Sequence, residues 1–260
     1  MLKFLILLTI SASAIADPLR NNIPVKNNTR IYGGQKTSIE FVPYQVSLVN
    51  NFGQLFCGGA IISNKWVLTA AICGVTDEHT IRAGSTFNNK GGSLHTVINV
   101  INHKDFRIIE HGIPLNDIAL IKVFEPFHFD KTRQPVQLLN ANEQIKPGSV
   151  GLVAGWSETE NGDYPNYLLS VAVLTIPKSQ CDDSYNTIGG LPQGQICAGN
   201  PDGQFDACTG DAGSPLVIND RLVGIVSWGY GCGLPNYPGV YTDISAYRFW
   251  VYQKLQENSK

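Results

Sequence analysis

Short apolar runs recur along most of this chain: "YQVSLVN", "LFCGGAIIS", "KWVLTAA", "HTVINVI", "DIALIKV", "SVGLVAG", "LLSVAVLTI", "SPLVI" and "RLVGIVSWG". β-Branched residues dominate them, and Gly, Pro, Asn or Asp separates them, which is the pattern of strands joined by turns. The stretch "SPLVINDRLVGIVSWG" reads as a hairpin turning at Asn219-Asp220. A helical period occurs once, near the C-terminus, where Ile244, Tyr247, Val251 and Leu255 recur at three and four. Asp243 and Ser245 are both suited to cap its start. The pattern predicts an all-β chain with a terminal helix, arranged as two barrels or sandwiches.

The first residues differ from the rest. Lys3 precedes an apolar run over 4–10, and Ala14-Ile15-Ala16 offers small residues for cleavage, so 1–16 reads as a signal peptide. That run falls short of the roughly 20 residues that span a bilayer. Residues 17–30, "DPLRNNIPVKNNTR", are polar, contain two prolines and end on Arg30, as a pro-segment would. They also hold the sequon Asn27-Asn28-Thr29. The remaining 31–260 suffices for one large or two small domains.

Without residues 1–30, Lys plus Arg falls from 19 to 15 and Asp plus Glu from 21 to 20, a formal charge of −5. No basic cluster stands out, so neither nucleic acid nor an anionic membrane is an expected partner. Six cysteines in an exported chain point to three disulfides rather than a metal site, with 15 possible connectivities.

Four stretches carry the chemistry: "RIYGG" at 30–34, "CGGAIISNKWVLTAAIC" at 57–73, "NDIALIKV" at 116–123 and "DACTGDAGSPLV" at 206–217. With "SWGYGCG" and "PGVYTDI", they resemble the chymotrypsin-like (trypsin) family of serine proteases, in order and spacing, over nearly all of 31–256. The resemblance implies two six-stranded antiparallel β-barrels, at about 31–136 and 137–242, then a helix at about 243–256. It also implies the pairs Cys57–Cys73, Cys181–Cys197 and Cys208–Cys232, and an activation cut between Arg30 and Ile31 whose new amine pairs with Asp211.

Aligned this way, the family's base, orienting acid and nucleophile fall on Ile72, Asp117 and Ala212. A Ser-His-Asp hydrolase needs a hydroxyl, an imidazole and a carboxylate. Ile72 transfers no proton and Ala212 offers no nucleophile, so the expectation is a triad with no functional member and a chain that is not an enzyme. The backbone N–H groups of Gly210 and Ala212 remain as an oxyanion hole. Ser214 stands where the family has glycine and is expected to crowd the backbone rather than replace the lost nucleophile. His79, His95, His103, His111 and His128 lie outside the motif.

Asp206 marks the floor of a specificity pocket and Gly229 and Gly239 its walls, which in the family implies a preference for Arg or Lys. The pocket is expected either to persist open or to be closed by Tyr237 or its neighbours. The family's calcium loop falls at 85–97, "STFNNKGGSLHTV", which has no carboxylate, so no metal or other cofactor is expected.

Ile72 and Ala212 together make the chain most similar to the inactivated protease paralogues of the scabies mite. That resemblance implies secretion into the gut lumen and faeces of a parasitic mite. It further implies a binding function, inhibition of host complement components, through loops such as Glu158–Tyr167 or Asn186–Gln195. The alternative expectation is a decoy that captures protease substrates or inhibitors in the cleft.

Overall fold

The computed structural model describes residues 34–258 except 160, 161, 163, 201, 204, 205 and 209. The expected signal peptide, pro-segment, Arg30 and Ile31 lie outside the described residues.

Period-two alternation decides how the first half closes. Ile61, Val67, Ile121 and Val123 point into one apolar cluster, while their neighbours Ala60, Leu68 and Leu120 point into another. Successive side chains on a strand face opposite ways, so a strand that is apolar on both faces needs cover on both. The strands meet this by closing into a barrel and laying its outer face on a second one.

The first barrel comprises β1 (Gln45–Val49), β2 (Leu55–Ile61), β3 (Trp66–Thr69), β4 (Thr80–Ala83), β5 (Ser93–Asn102) and β6 (Ala119–Val123). They close in the order β1-β2-β3-β6-β5-β4. The second comprises β7 (Val150–Gly155), β8 (Leu169–Ile176), β9 (Gln195–Gly199), β10 (Pro215–Ile218), β11 (Arg221–Trp228) and β12 (Gly239–Asp243). Its antiparallel pairings run β8-β7-β10-β11-β12-β9 and return to β8. The two barrels and terminal helix expected from the family are therefore the fold.

Three strands, β4, β9 and β12, had no apolar run to announce them. Each is four or five residues long and carries Arg82, Gln195 or an initial Gly239. The short helix α1 (Lys178–Ser184) was also unannounced. The hairpin between β10 and β11 turns at Asn219 and Asp220, both at positive φ (48° and 60°), as a two-residue turn matched to strand twist requires. Helix α2 (Ile244–Glu257) is capped by Asp243, whose side chain accepts the Ser245 N–H. Ile244, Tyr247 and Val251 are buried in the cluster beneath both barrels, and Leu255 packs against it.

Disulfides join Cys57 to Cys73, Cys181 to Cys197 and Cys208 to Cys232. The first fastens β2 to the segment that carries Ile72. The third fastens the loop before Ala212 to the loop after β11, so two of the three bracket the cleft between the barrels.

Candidate active site

Strand β3 ends in a 3-10 turn over Ala71–Cys73, and Asp117 sits just before β6. Their pairing across the first barrel brings Ile72 to Asp117, whose Oδ1 accepts the Ile72 backbone N–H at 2.7 Å. Oδ2 accepts the Ser227 hydroxyl at 2.5 Å, and the Asp117 carbonyl accepts the Thr242 hydroxyl at 2.7 Å. The carboxylate is only 1% exposed. Burial raises its pKa above the usual carboxylate value, and the hydrogen bonds from Ser227 and from the backbone at Ile72 and Ala71 oppose that rise. Ser227 and Thr242 were not singled out in the sequence, although both lie in motifs that were.

The five histidines sit elsewhere. His79 stacks on Phe56 at 4.6 Å, and His103 packs against Tyr247 and Trp250. His95 is buried between Ser93 and the Glu125 carbonyl. None of them hydrogen-bonds Asp117.

The loop carrying Ala212 docks on the first barrel. The Gly58 N–H donates to the Ala212 carbonyl at 2.8 Å. Gly213 has φ of 83°, and a Cβ there would lie 2.2 Å from Thr69 Oγ1 and 2.4 Å from the Gly58 carbonyl. Only glycine permits that approach. Gly210, at φ 100°, and Ala212 both line the cavity beneath. Neither backbone N–H donates to a protein acceptor among the described residues, as a site for a developing oxyanion requires.

The crowding expected of Ser214 is accommodated. Its hydroxyl occupies the space left by Gly58, where a Cβ would come within 2.0 Å of Ser214 Oγ. There it accepts from Gln45 Nε2 at 3.1 Å, a buried bond across 169 residues of sequence. No local signal in the sequence pairs these two. Replacing Ser214→Gly leaves the Gln45 amide with only its long 3.5 Å bond to the Val46 carbonyl and is expected to cost about 1–2 kcal/mol. Urea unfolding of the two proteins measures this, and an unchanged midpoint would contradict it.

Asp206 lies at the base of a cavity of about 320 Å³, with Gly229 and Gly239 among its lining residues. Its Oδ2 accepts the Gly233 N–H at 3.2 Å, while Oδ1 is buried without a partner. The residue is 2% exposed. Burial pushes its pKa up to about 7, with the nearby Asp211 charge adding to the rise and hydrogen bonds from Gly233 and Ala207 opposing it. Gly239 leaves the room this carboxylate uses, since a Cβ there would meet Oδ1 at 2.6 Å. Tyr237 does not line the cavity. It stacks on Tyr230 at 5.0 Å and on Tyr185 at 6.0 Å, so the expected closure by Tyr237 does not occur.

Asp211 is fully buried, its Oδ2 accepts the Cys208 N–H at 3.0 Å, and its Oδ1 makes no hydrogen bond. Burial pushes its pKa up to about 6. In the segment 85–97, Ser85 Oγ donates to the Lys90 carbonyl and Lys90 Nζ lies 4.5 Å from the Phe87 ring centroid.

The family model described as Trypsin matches residues 31–251. The chain is 38% identical to trypsin epsilon of Drosophila erecta, over 99% of this chain and 100% of the relative. It is 37% identical to a vitellin-degrading protease of Bombyx mori, over 97% and 94%. Among solved structures it is similar to neuropsin, a serine protease expressed in the limbic system of mouse brain. That likeness has a TM-score of 0.78 and 31% identity, over 85% of this chain and 98% of the other. The chain belongs to the trypsin family of serine proteases.

These relatives overturn two expectations drawn from Ile72 and Ala212. Neither a non-enzyme that inhibits host complement nor a decoy in an idle cleft matches chains named as trypsins and as a protease; proteolysis is the function they point to. The expectation overreached because the loss of two side chains does not by itself exclude hydrolysis. A triad supplies part of the acceleration, while oxyanion donors and substrate binding supply about 10³–10⁴ over water by themselves. The relatives also give no support to an origin in a mite.

Proposed function

We propose that this chain cleaves polypeptides after Lys or Arg, with the basic side chain held by Asp206 and water as the attacking group. The observation that carries this is the unpartnered Oδ1 of Asp206 at the base of a cavity. A buried carboxylate one partner short is stabilised by a cation far more than by water, and a Lys or Arg side chain brings one on an apolar stem. The Gly210 and Ala212 N–H groups then face the carbonyl oxygen of the bound residue. Water adds to the carbonyl carbon, negative charge develops on that oxygen, the C–N bond breaks, and the departing amine takes up the proton released by the water. Ile72 and Ala212 contribute no proton transfer and no covalent intermediate in this scheme. Asp117 serves to hold Ser227, and with it one wall of the cavity.

Release from the cell and a cut between Arg30 and Ile31 belong to the same reading. Among the described residues no helix is long and apolar enough to cross a membrane, and trypsin-type chains act outside cells. Ile72 with Ala212 supports placing the chain beside the mite paralogues, with release into a gut lumen. An amine freed at Ile31 would complete Asp211. Cleavage at Arg30 is accordingly expected to stabilise the protein by about 3 kcal/mol, an effect that Asp211→Asn removes. Thermal unfolding of cut and uncut protein reads it, and equal stability would exclude the pair.

The function is tested with fluorogenic peptides that differ only in carrying Arg, Lys, Leu or Asp before the reporter. Arg and Lys peptides should be hydrolysed at about 10³–10⁴ times the rate in buffer, and the other two at the buffer rate. Four equal rates would overturn the proposal.

A further inference from the structure

We infer that the second barrel carries a further binding site, outside the Asp206 cavity, for an organic ammonium ion on an apolar stem, with Asp243 as its counter-charge. The site is a cavity of about 560 Å³, within the size range of pockets that take small organic molecules. Four segments build it: the loop within 143–147, the end of β8 with the first residue of α1, the stretch 191–197 into β9, and the junction of β12 with α2. Among the described residues it shares no lining residue with the Asp206 cavity. Strand β12 serves both: Gly239, Val240 and Tyr241 line the first, and Asp243 lines the second.

Ile145, Pro147, Ile176, Leu191, Pro192 and Ile196 supply its apolar wall. Two buried polar side chains of the lining make no demand on a ligand. Gln195 donates from Nε2 to the Pro114 carbonyl at 2.7 Å and accepts the Trp228 indole N–H at 3.0 Å. Thr175 donates to the Lys146 carbonyl and accepts the Ser149 N–H, both at 3.0 Å. Three charged side chains remain. Glu143 accepts both terminal nitrogens of Arg221 at 2.8 and 2.6 Å, and Lys178 Nζ meets both oxygens of Asp182 at 2.7 and 2.8 Å. Asp243 accepts the Ser245 N–H at 2.9 Å, but among the described residues no Lys, Arg or His forms an ion pair with it. Burial raises its pKa above the usual carboxylate value, and hydrogen bonds from Ser245 and Ala246 oppose that rise. The cavity thus presents one uncompensated negative charge beside apolar surface. A cation relieves the burial of that charge, and an apolar stem gains by leaving water. An anion would meet repulsion there, and a neutral polar molecule would lose hydration for little return.

The test is an isoleucine-methyl NMR titration of the Asp206→Asn protein, in which the other cavity has lost its charge. Three probes are compared: hexylammonium, butylammonium and hexanol. Hexylammonium is expected to move the methyl signals of Ile145, Ile176 and Ile196. It should bind about ten-fold more tightly than either other probe, since one lacks two CH₂ groups and the other lacks the charge. Adding Asp243→Asn keeps the cap of α2, because Asn caps a helix as well as Asp does. That change should bring hexylammonium down to the affinity of hexanol. Equal affinity of hexylammonium and either other probe, or a preference for the ammonium that survives Asp243→Asn, would overturn the inference. Methyl signals of the three isoleucines that stay unmoved would overturn it too. None of these outcomes bears on the role of Asp206, which the protein under test lacks.

Discussion

Ile72→His and Ala212→Ser, made together, are expected to raise the rate of Arg-peptide hydrolysis by on the order of 10⁶. The size follows from what the cleft already holds. Asp117 takes the backbone N–H of residue 72 and not its side chain, so the carboxylate stays in place when the side chain changes. Ser227 fixes its other oxygen. The loop at 212 is fixed by the Gly58 bond and by the tight approach of Gly213. A new imidazole would be oriented by an acid already buried, and a new hydroxyl would meet it above free backbone N–H groups. Either replacement alone should change the rate little, because nucleophile and base act as a unit. Steady-state kcat for the native protein, both single variants and the double variant settles this. Additive gains from the single variants would contradict the geometry.

The second large effect concerns pH and a cation in the pocket. Asp206 and Asp211 have pKa values pushed up to about 7 and about 6, against the usual 3.8. The folded protein thus holds these protons more tightly than the unfolded chain does. Stability attributable to the two groups is full below the unfolded value, falls as pH rises through about 4 to 7, and is lost above that. A shift of three units is on the order of 4 kcal/mol for Asp206. The uncut protein should therefore unfold at a higher temperature near pH 5 than near pH 8. A small guanidinium or amidinium compound at saturation should recover most of the Asp206 share at pH 8 and little at pH 5. Asp206→Asn should flatten the pH dependence and abolish the ligand effect. Scanning calorimetry reads all three. A ligand effect of equal size at both pH values, or one that survives Asp206→Asn, would show that the cation binds elsewhere.

Much of this was legible in the chain because the fold is written in period two. β-Branched runs announced nine of the twelve barrel strands, and the positive-φ pair Asn219-Asp220 announced the hairpin between β10 and β11. The strands around Arg82, Gln195 and Gly239 were silent, since their place is fixed by pairing with distant neighbours rather than by their own pattern. The same holds at the site. Asp206, Gly210 and Asp211 could be placed from a motif, but the Gln45–Ser214 bond joins opposite ends of the chain and leaves no local mark. The error made from Ile72 and Ala212 was of another kind. Their chemistry was read correctly residue by residue, and then extended to the whole protein, although the pocket, the oxyanion donors and the fixed Asp117 do not depend on either side chain.

The most direct test is to incubate an unfolded polypeptide for a long period with the native protein and, in parallel, with Asp206→Asn prepared identically. The new chain ends are then identified by mass spectrometry. The account predicts fragments ending in Lys or Arg from the native protein and none above background from the variant. No new ends from the native protein, or the same ends from both, would contradict it.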